Sequence, residues 1–574
     1  MTQTTSIDRA DAPAPARAIE PRRAGVDWLG PLALAIALVL IAPVAWIAVS
    51  VFAEDQGTLA HLAETVLPRY VGNTLALVLG VGSGVLIVGT STAWLVTMCE
   101  FPGRRIFEWA LIVPLAIPAY IIAYAYTDLL SHPGLVQSTL RDLTGWGPRD
   151  YWFPNIRSLG GATVMFVFVL YPYVYLLARS AFLEQSTCYA EVSRTLGRTA
   201  FQGFRQISLP LARPAIAGGV ALALMETLAD FGTVAHFGVD TFTTGIYRAW
   251  LSMDDLVAAG QLATMLLAVV LTVVVVERAE RRRARFHNSR RVRDLFRYRL
   301  SGARAWLATL ACLAPVLLGF VLPVAILLNL SYVDGHDLFT ERYAVLIGNS
   351  LTLGLLAALA AVAPALVLAY AARISPGPLS RAAGRLANLG YAVPGSVIAI
   401  GILMPLATFD NAVSAFMQAT FGISTGLLLT GSVAALVFAY VVRFMAVALT
   451  TVEASLGKIP ESLDAAARTL GASPFGTLRR IHVPLLSGGL MTAGLLVFVD
   501  VMKELPATLI LRPFNYDTLA VQAYRLASDE RLAQASTPSL VLVAAGLLPV
   551  IVLSRRIMTT RAGRRTTSAP APAV

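Results

Sequence analysis

The stretch ALALMETLADFGTVAHFG, residues 221–238, has the apolar density of a membrane helix yet carries two carboxylates, Glu226 and Asp230. A charged side chain at the centre of a bilayer costs roughly 2.5–3.5 kcal/mol even on insertion scales, so such residues pair, reach water or serve a pathway. The second half of the chain repeats the pair: at an offset of 274 residues Glu226 falls opposite Asp500 and Asp230 opposite Glu504. A spacing of four places two residues on one helix face, so each copy is expected to present both acids in one direction. Two readings stand. Either the acids are helix-end groups, with Lys503 pairing with Asp500 and Pro506 ending the second helix, or all four line a water-filled path on which acidic groups lower the barrier for a cation.

Other reactive residue types are sparse. The six histidines, His61, His132, His236, His287, His336 and His482, lie far apart, with no ligand pair at helical spacing. His236 follows Asp230 by six residues and reads as an interfacial histidine or an outer-face metal contact; Tyr247 and Tyr524 read as interfacial aromatics or contacts at the outer face. Cys99, Cys188 and Cys312 are scattered, specifying neither a disulfide framework nor a zinc site. Only Lys458 and Lys503 are lysines, and neither belongs to G-x-x-x-x-G-K-[ST], so a phosphate-binding loop of that kind is excluded. No cofactor is expected on this chain.

The elements that must carry these residues are membrane helices. Of 574 residues 56% are hydrophobic and 14% charged, against about 25% charged in ordinary soluble domains. Twelve apolar runs centre near residues 40, 85, 118, 170, 223, 268, 317, 360, 396, 438, 494 and 546, each close to the roughly 20 residues that span a bilayer. The first run is too long and too late for a cleaved signal peptide. The net charge of +11 is confined to short loops: Arg22 and Arg23, Arg104 and Arg105, the central run ERAERRRARFHNSRRVRDLFRYR, and Arg555, Arg556, Arg564 and Arg565. With twelve spans and a cytoplasmic N-terminus, every cluster falls on the cytoplasmic side, as the positive-inside rule requires. The central run reads as a topology anchor that meets anionic membrane lipid, with no nucleic acid implied.

The chain is one unit written twice. VSRTLGRTAFQGFRQISLPL from Val192 aligns without a gap on AARTLGASPFGTLRRIHVPL from Ala466. RYVGNT at Arg69 answers RYAVLIGNS at Arg342, Pro118 answers Pro394, and DTFTTGIYR at Asp240 answers DTLAVQAYR at Asp517. Six spans per copy is an even number, so the copies are parallel repeats rather than inverted ones. The expected division is a disordered tail over 1–27, a first unit over 28–277, a basic linker over 278–302, a second unit over 303–556 and a tail over 557–574.

The duplicated loop between the fourth and fifth spans is a short amphipathic segment, a glycine at which a helix can stop, and a second helix leading to proline. It resembles the hallmark loop of the inner-membrane permeases of binding-protein-dependent ABC importers: Glu-Ala-Ala, three residues, Gly, nine residues, Ile-x-Leu-Pro. Glu191, Gly197, Ile207, Leu209 and Pro210 match in copy one, and Gly471, Ile481 and Pro484 in copy two. Copy one has Glu-Val-Ser for Glu-Ala-Ala; copy two has Ala465 at the glutamate position, with Asp464 just before it and Val483 for the leucine. The resemblance, from about residue 28 to 556, implies an all-α polytopic membrane protein of about twelve helices, built as two parallel six-helix repeats of the type I importer permease. It also implies that these loops, Asp464 included, couple to two copies of a cytoplasmic ABC ATPase.

Within that family the fusion, METLADFGT, VDTFTTGIY and KELPATLILRPFNYDTLA look most like ferric iron permeases, which implies a periplasmic ferric-binding protein as partner. Fused thiamine permeases are the nearest rival class. A proton-coupled twelve-span secondary transporter would explain the membrane carboxylates but not a cytoplasmic loop duplicated inside each half.

Overall fold

The computed structural model describes residues 28–53, 57–185, 199–283, 297–334 and 340–565. Eleven helices among them are long and apolar enough to cross a membrane: Leu29–Ser50, Leu67–Met98, Leu159–Leu183, Phe201–Ala229, Leu256–Glu280, Ala303–Val333, Glu341–Ile374, Gly395–Phe421, Val433–Leu456, Pro474–Lys503 and Leu532–Ile551. The third expected span of the first half is not a straight helix. Arg104–Ala116 and Ala119–Thr144 form a pair bent by 92°, because Pro118 starts the second segment and cannot donate an amide to the first. A further stop follows at Pro133–Gly134, leaving Ala119–Leu130 with 12 residues, fewer than a bilayer needs. The second half also breaks at Pro394 but then runs unbroken over Gly395–Phe421.

Proline also explains a repeated distortion. Wide π-helical turns occur at Phe204–Ser208, Leu317–Val321 and Leu478–His482, each ending two residues before a proline: Pro210, Pro323 and Pro484. The ring removes one amide and pushes away the carbonyl four residues earlier, and the turn widens to accommodate it.

Each half lends its first helix to the other. Leu29–Ser50 packs on Pro378–Ala387 and Gly395–Phe421 of the second half, and the Ala303–Val333 helix packs on Ala119–Leu130 of the first, where the Tyr126 hydroxyl donates to the Leu318 carbonyl at 2.7 Å. The two hydrophobic cores therefore each mix residues from both halves. The unit boundaries are less sharp than expected. Leu256–Arg283 runs into the linker region, Tyr298–Arg299 pairs as a short parallel strand with Cys99–Glu100, and the last helix continues to Arg565.

On the side away from the arginine clusters the repeat builds the same clasp twice. Asn73 donates to the Asp240 carbonyl at 2.8 Å and Asn349 to the Asp517 carbonyl at 3.0 Å, while Asp240 pairs with Arg69 and Arg248 and Asp517 with Arg525. Across the halves on that side, Arg157 grips Glu530 with two hydrogen bonds of 2.7 and 2.8 Å, and holds its carboxyl below the usual carboxylate range. Asn349→Ala is expected to lower stability by about 0.5–1.5 kcal/mol, the worth of one hydrogen bond, seen as a lower Tm of the purified protein; an unchanged Tm would remove the clasp from the stabilising contacts.

Candidate translocation path and coupling loops

The helices that carry the paired carboxylates both stop between the two acids. Leu209–Ala229 gives way at Asp230, which is extended (φ −71°, ψ 135°), and a short helix restarts at Gly232–His236. Val483–Lys503 gives way at Glu504 (φ −70°, ψ 121°) before Pro506–Leu511. The acid at each break caps the helix that restarts beyond it. Asp230 accepts the Thr233 amide at 2.8 Å and the Thr233 hydroxyl at 3.1 Å; Glu504 accepts the amides of Ala507 and Thr508 at 2.9 and 3.0 Å and the Thr508 hydroxyl at 2.8 Å. A helix start leaves amides without partners, and in an apolar interior a carboxylate satisfies them best. The expectation of one shared face is thereby corrected: Asp230 and Glu504 hold the break together, and only Glu226 and Asp500 remain on the long helices.

The halves differ here. Glu504 also pairs with Arg443 at 3.1 Å, with side-chain exposures of 1% and 12%. The fourth spans align at the 274 offset through their capping serines, Ser158 and Ser432, and the position answering Arg443 is Val169, so Asp230 has no counterpart of that guanidinium.

Glu226 and Asp500 meet between the halves. The Tyr391 hydroxyl from the second half reaches Glu226 at 3.5 Å, Tyr173 from the first half hydrogen-bonds Tyr391, and Asp500 lies in the fields of Lys503, Glu226 and Arg443. Glu226, Asp500, Tyr173, Tyr391 and Lys503 are each half-buried and line the gap between the halves that is the candidate path. Toward the side opposite the arginines this gap is closed: Phe231 stacks on Tyr247 with ring centres 3.7 Å apart and lies 5.6 Å from Tyr524, and the Tyr247 hydroxyl donates to the Pro506 carbonyl across the halves. Tyr247 is buried, which places it in this closure instead of at an outer surface, with half-buried Tyr524 beside it. His236 is also spoken for, its Nε2 lying 3.1 Å from the Thr127 hydroxyl and its ring edge-on to Tyr124. Among the described residues no group of three His, Cys, Asp or Glu side chains is placed to hold a metal ion.

The duplicated loop is described in full only in copy two; Glu191 and Gly197 lie outside the described residues. There Glu461–Thr469 ends at Gly471, whose φ of +76° suits glycine. The amides of Gly471 and Ala472 donate back to Arg468 and Ala467 at 3.0 Å each, the double bond that closes a helix end. Ser473 then caps the next turn, Pro474–Thr477. Arg373, at the end of Glu341–Ile374, clamps the loop through the carbonyls of Leu456 and Ile459 and through Asp464 at 2.8 Å, and His482 meets the other Asp464 oxygen at 2.6 Å. Asp464 is therefore turned inward and buried, supporting the loop from beneath rather than facing a partner, because Ala465 and not an acid occupies the outward position. The loop exposes three large apolar side chains, Leu463, Leu470 at 87% and Phe475 at 67%, among the exposed polar residues Glu461, Arg468 and Thr469. Ile207 and Ile481 are half-buried in the π-helical turns, and Pro210 and Pro484 are exposed just beyond them.

Sequence reasoning passed over Arg443, Arg373, Tyr173 and Tyr391. Arg443 carried the same signal as Glu226, an ionisable residue inside the apolar run FAYVVRFMAV; the tyrosines carried none, being common in membrane helices.

The chain matches the family described as the binding-protein-dependent transport system inner membrane component at residues 85–284 and again at 361–567. It is 27% identical to the Fe(3+)-transport system permease protein FbpB 2 of Haemophilus influenzae over 92% of this chain and 98% of that one. It is 24% identical to the ferric transport system permease protein FbpB of Actinobacillus pleuropneumoniae over 83% of this chain and 69% of the relative. The sulfate transport system permease protein CysT of Salmonella typhimurium is 28% identical over 33% of this chain and 67% of its own length.

Removing one partner of a buried ion pair leaves the other uncompensated, at a cost of about 3–5 kcal/mol. Arg443→Met is therefore expected to deplete folded protein sharply in a detergent thermal-stability assay, with Arg443→Met/Glu504→Gln recovering most of the loss; a single mutant as stable as the parent would show that the pair does not hold the break.

Proposed function

Because the chain belongs to the family of binding-protein-dependent transport system inner membrane components, with that unit present twice, we propose that it is the fused permease of a ferric iron importer. It is a multi-pass inner-membrane transport component and not an enzyme. The observation that carries the iron reading is the likeness to ferric permeases along nearly the whole chain, where the sulfate permease answers to one third of it. The chemistry of the gap is in keeping: ferric ion is a hard cation that prefers oxygen donors, and carboxylates and phenols are what Glu226, Asp500, Tyr173 and Tyr391 offer.

In this reading a periplasmic ferric-binding protein docks on the side away from the arginines, and two copies of a cytoplasmic ATPase seat the duplicated loops. Both termini lie in the cytoplasm with the arginine clusters. Leu463, Leu470 and Phe475 enter the ATPase surface, and Arg373 keeps the loop rigid, so that closure of the ATPases moves the loop as a body. The last part of each loop, from Phe201 and from Pro474, runs without a break into the helix bearing Glu226 or Asp500, about 24 Å of rod from Pro484 to Asp500 at 1.5 Å per residue. Closure below thereby shifts the carboxylates and parts the aromatic closure above.

Two outcomes are expected in cells that carry the permease with its ATPase and binding protein. Glu226→Gln/Asp500→Asn lowers uptake of radiolabelled ferric iron at least tenfold at normal membrane abundance; uptake of thiamine without iron would keep the machine and change its cargo, and undiminished iron uptake would return the two acids to a structural role. Leu470→Asp/Phe475→Asp lowers ATPase activity of the assembled complex several-fold by weakening the seat; unchanged ATPase and uptake would count against these loops as the coupling surface.

A further inference from the structure

Lys503 stands out from its surroundings. It is one of two lysines among 45 basic side chains, and it sits between the halves, one helical turn beyond Asp500. Its ammonium crosses to the first half and donates to the Leu115 carbonyl at 3.2 Å, in the turn Val113–Ala116 that precedes the bend at Pro118. The path of its stem is built for it. A Cβ on Gly546, in the last helix, would collide with the Ala116 carbonyl and come within 2.9 Å of Lys503 Cε, so only glycine leaves that channel open. The position answering Lys503 in the first half is Ala229, so the repeat places one ammonium against two facing carboxylates.

The other charges nearby are already engaged. Arg443 belongs to Glu504 and Asp230 to the amides of the restarted helix. What remains is Glu226 and Asp500 with Lys503, two negative charges and one positive, lined by Tyr173 and Tyr391. Arginine would bind such carboxylates as a fixed fork, whereas a lysine ammonium is a compact point charge on a flexible stem and can leave as readily as it arrives.

We propose that Lys503 is the built-in counter-cation of the path, a tethered competitor that cargo must displace from Glu226 and Asp500, and that it thereby excludes monovalent cations. A group held on a short tether competes at a high effective concentration without being consumed. A free monovalent ion has the same charge as the ammonium and no such advantage. A trivalent ion interacts with the same carboxylates about three times as strongly by Coulomb's law, so it draws both acids away while Lys503 stays on the Leu115 carbonyl, the partner it has in this structure. The inference rests on the proposed path, and it assigns to one residue the selection of high charge.

The test uses the complete complex, permease with ATPase and iron-loaded binding protein, in proteoliposomes with ATP and rubidium chloride outside. Radiolabelled rubidium and iron accumulation are each divided by the amount of inserted permease. Wild type is expected to accumulate little rubidium. Lys503→Met and Lys503→Gln, the second keeping a donor for the Leu115 carbonyl, are expected to raise rubidium accumulation at least fivefold, and adding Glu226→Gln/Asp500→Asn to either is expected to abolish the rise. Rubidium accumulation at the wild-type level in both lysine variants overturns the proposal, as does a rise that persists without the two carboxylates. If the wild-type complex moved no iron, the ferric reading would fall, and the rubidium comparison would still decide the role of Lys503.

Discussion

An apolar interior does not tolerate an amide, carbonyl or charge without a partner, and the centre of this molecule is arranged by that constraint. Both halves interrupt their fifth helix midway. Each interruption frees amides that must be satisfied on the spot, and each half meets the need with a carboxylate carried in the same turn, Asp230 or Glu504. The second half then has to neutralise a carboxylate with almost no exposure, and Arg443 comes in from the fourth helix to do so. Once those groups are committed, Glu226 and Asp500 are the acids left facing the gap, and Lys503 is the cation left to answer them.

The same constraint separates a rigid lower part from an upper part held by weaker contacts. Below, Arg373 ties the loop of the second half to the end of a membrane helix through three carbonyls and Asp464. Above the breaks, the halves meet through the ring contact of Phe231 with Tyr524, one hydroxyl-to-carbonyl bond from Tyr247 to Pro506 and the solvent-exposed Arg157–Glu530 pair, and an exposed pair contributes little. Contacts of that kind part at small cost when the long helices shift. The exchange of first helices between halves ties the two units together.

Much of this was legible in the chain. Composition and arginine placement set the membrane class and the number of apolar runs, the repeat exposed itself through the loop, and the recurrence of acids in register marked the centre. The failures have physical causes. The spacing of four at Glu226 and Asp230 reads as one helix face because nothing in ETLADFG announces a stop; only Pro506 in the other copy hinted at one. Asp464 reads as a substitute for a surface glutamate until Arg373 and His482, 91 and 18 residues away, are seen to hold it inward. Tyr247 reads as an interfacial aromatic because its partners, Phe231 and Pro506, come together only when the halves pack. The bend in the third span was written in Pro118 and Pro133–Gly134, but hydropathy averages across both.

The central claim is that the halves open above and close below as the coupling loops carry the helices of Glu226 and Asp500 with them. The most direct measurement places spin labels at Ser252 and Asp529, exposed equivalent positions just beyond the upper closure, in a background lacking Cys99, Cys188 and Cys312, and reads their separation by pulsed dipolar spectroscopy. In the complete complex the account predicts a short distance without nucleotide and a distinctly longer one when the ATPases are trapped closed with the binding protein docked. A single distance, unmoved by trapping in a complex that still hydrolyses ATP, would contradict it.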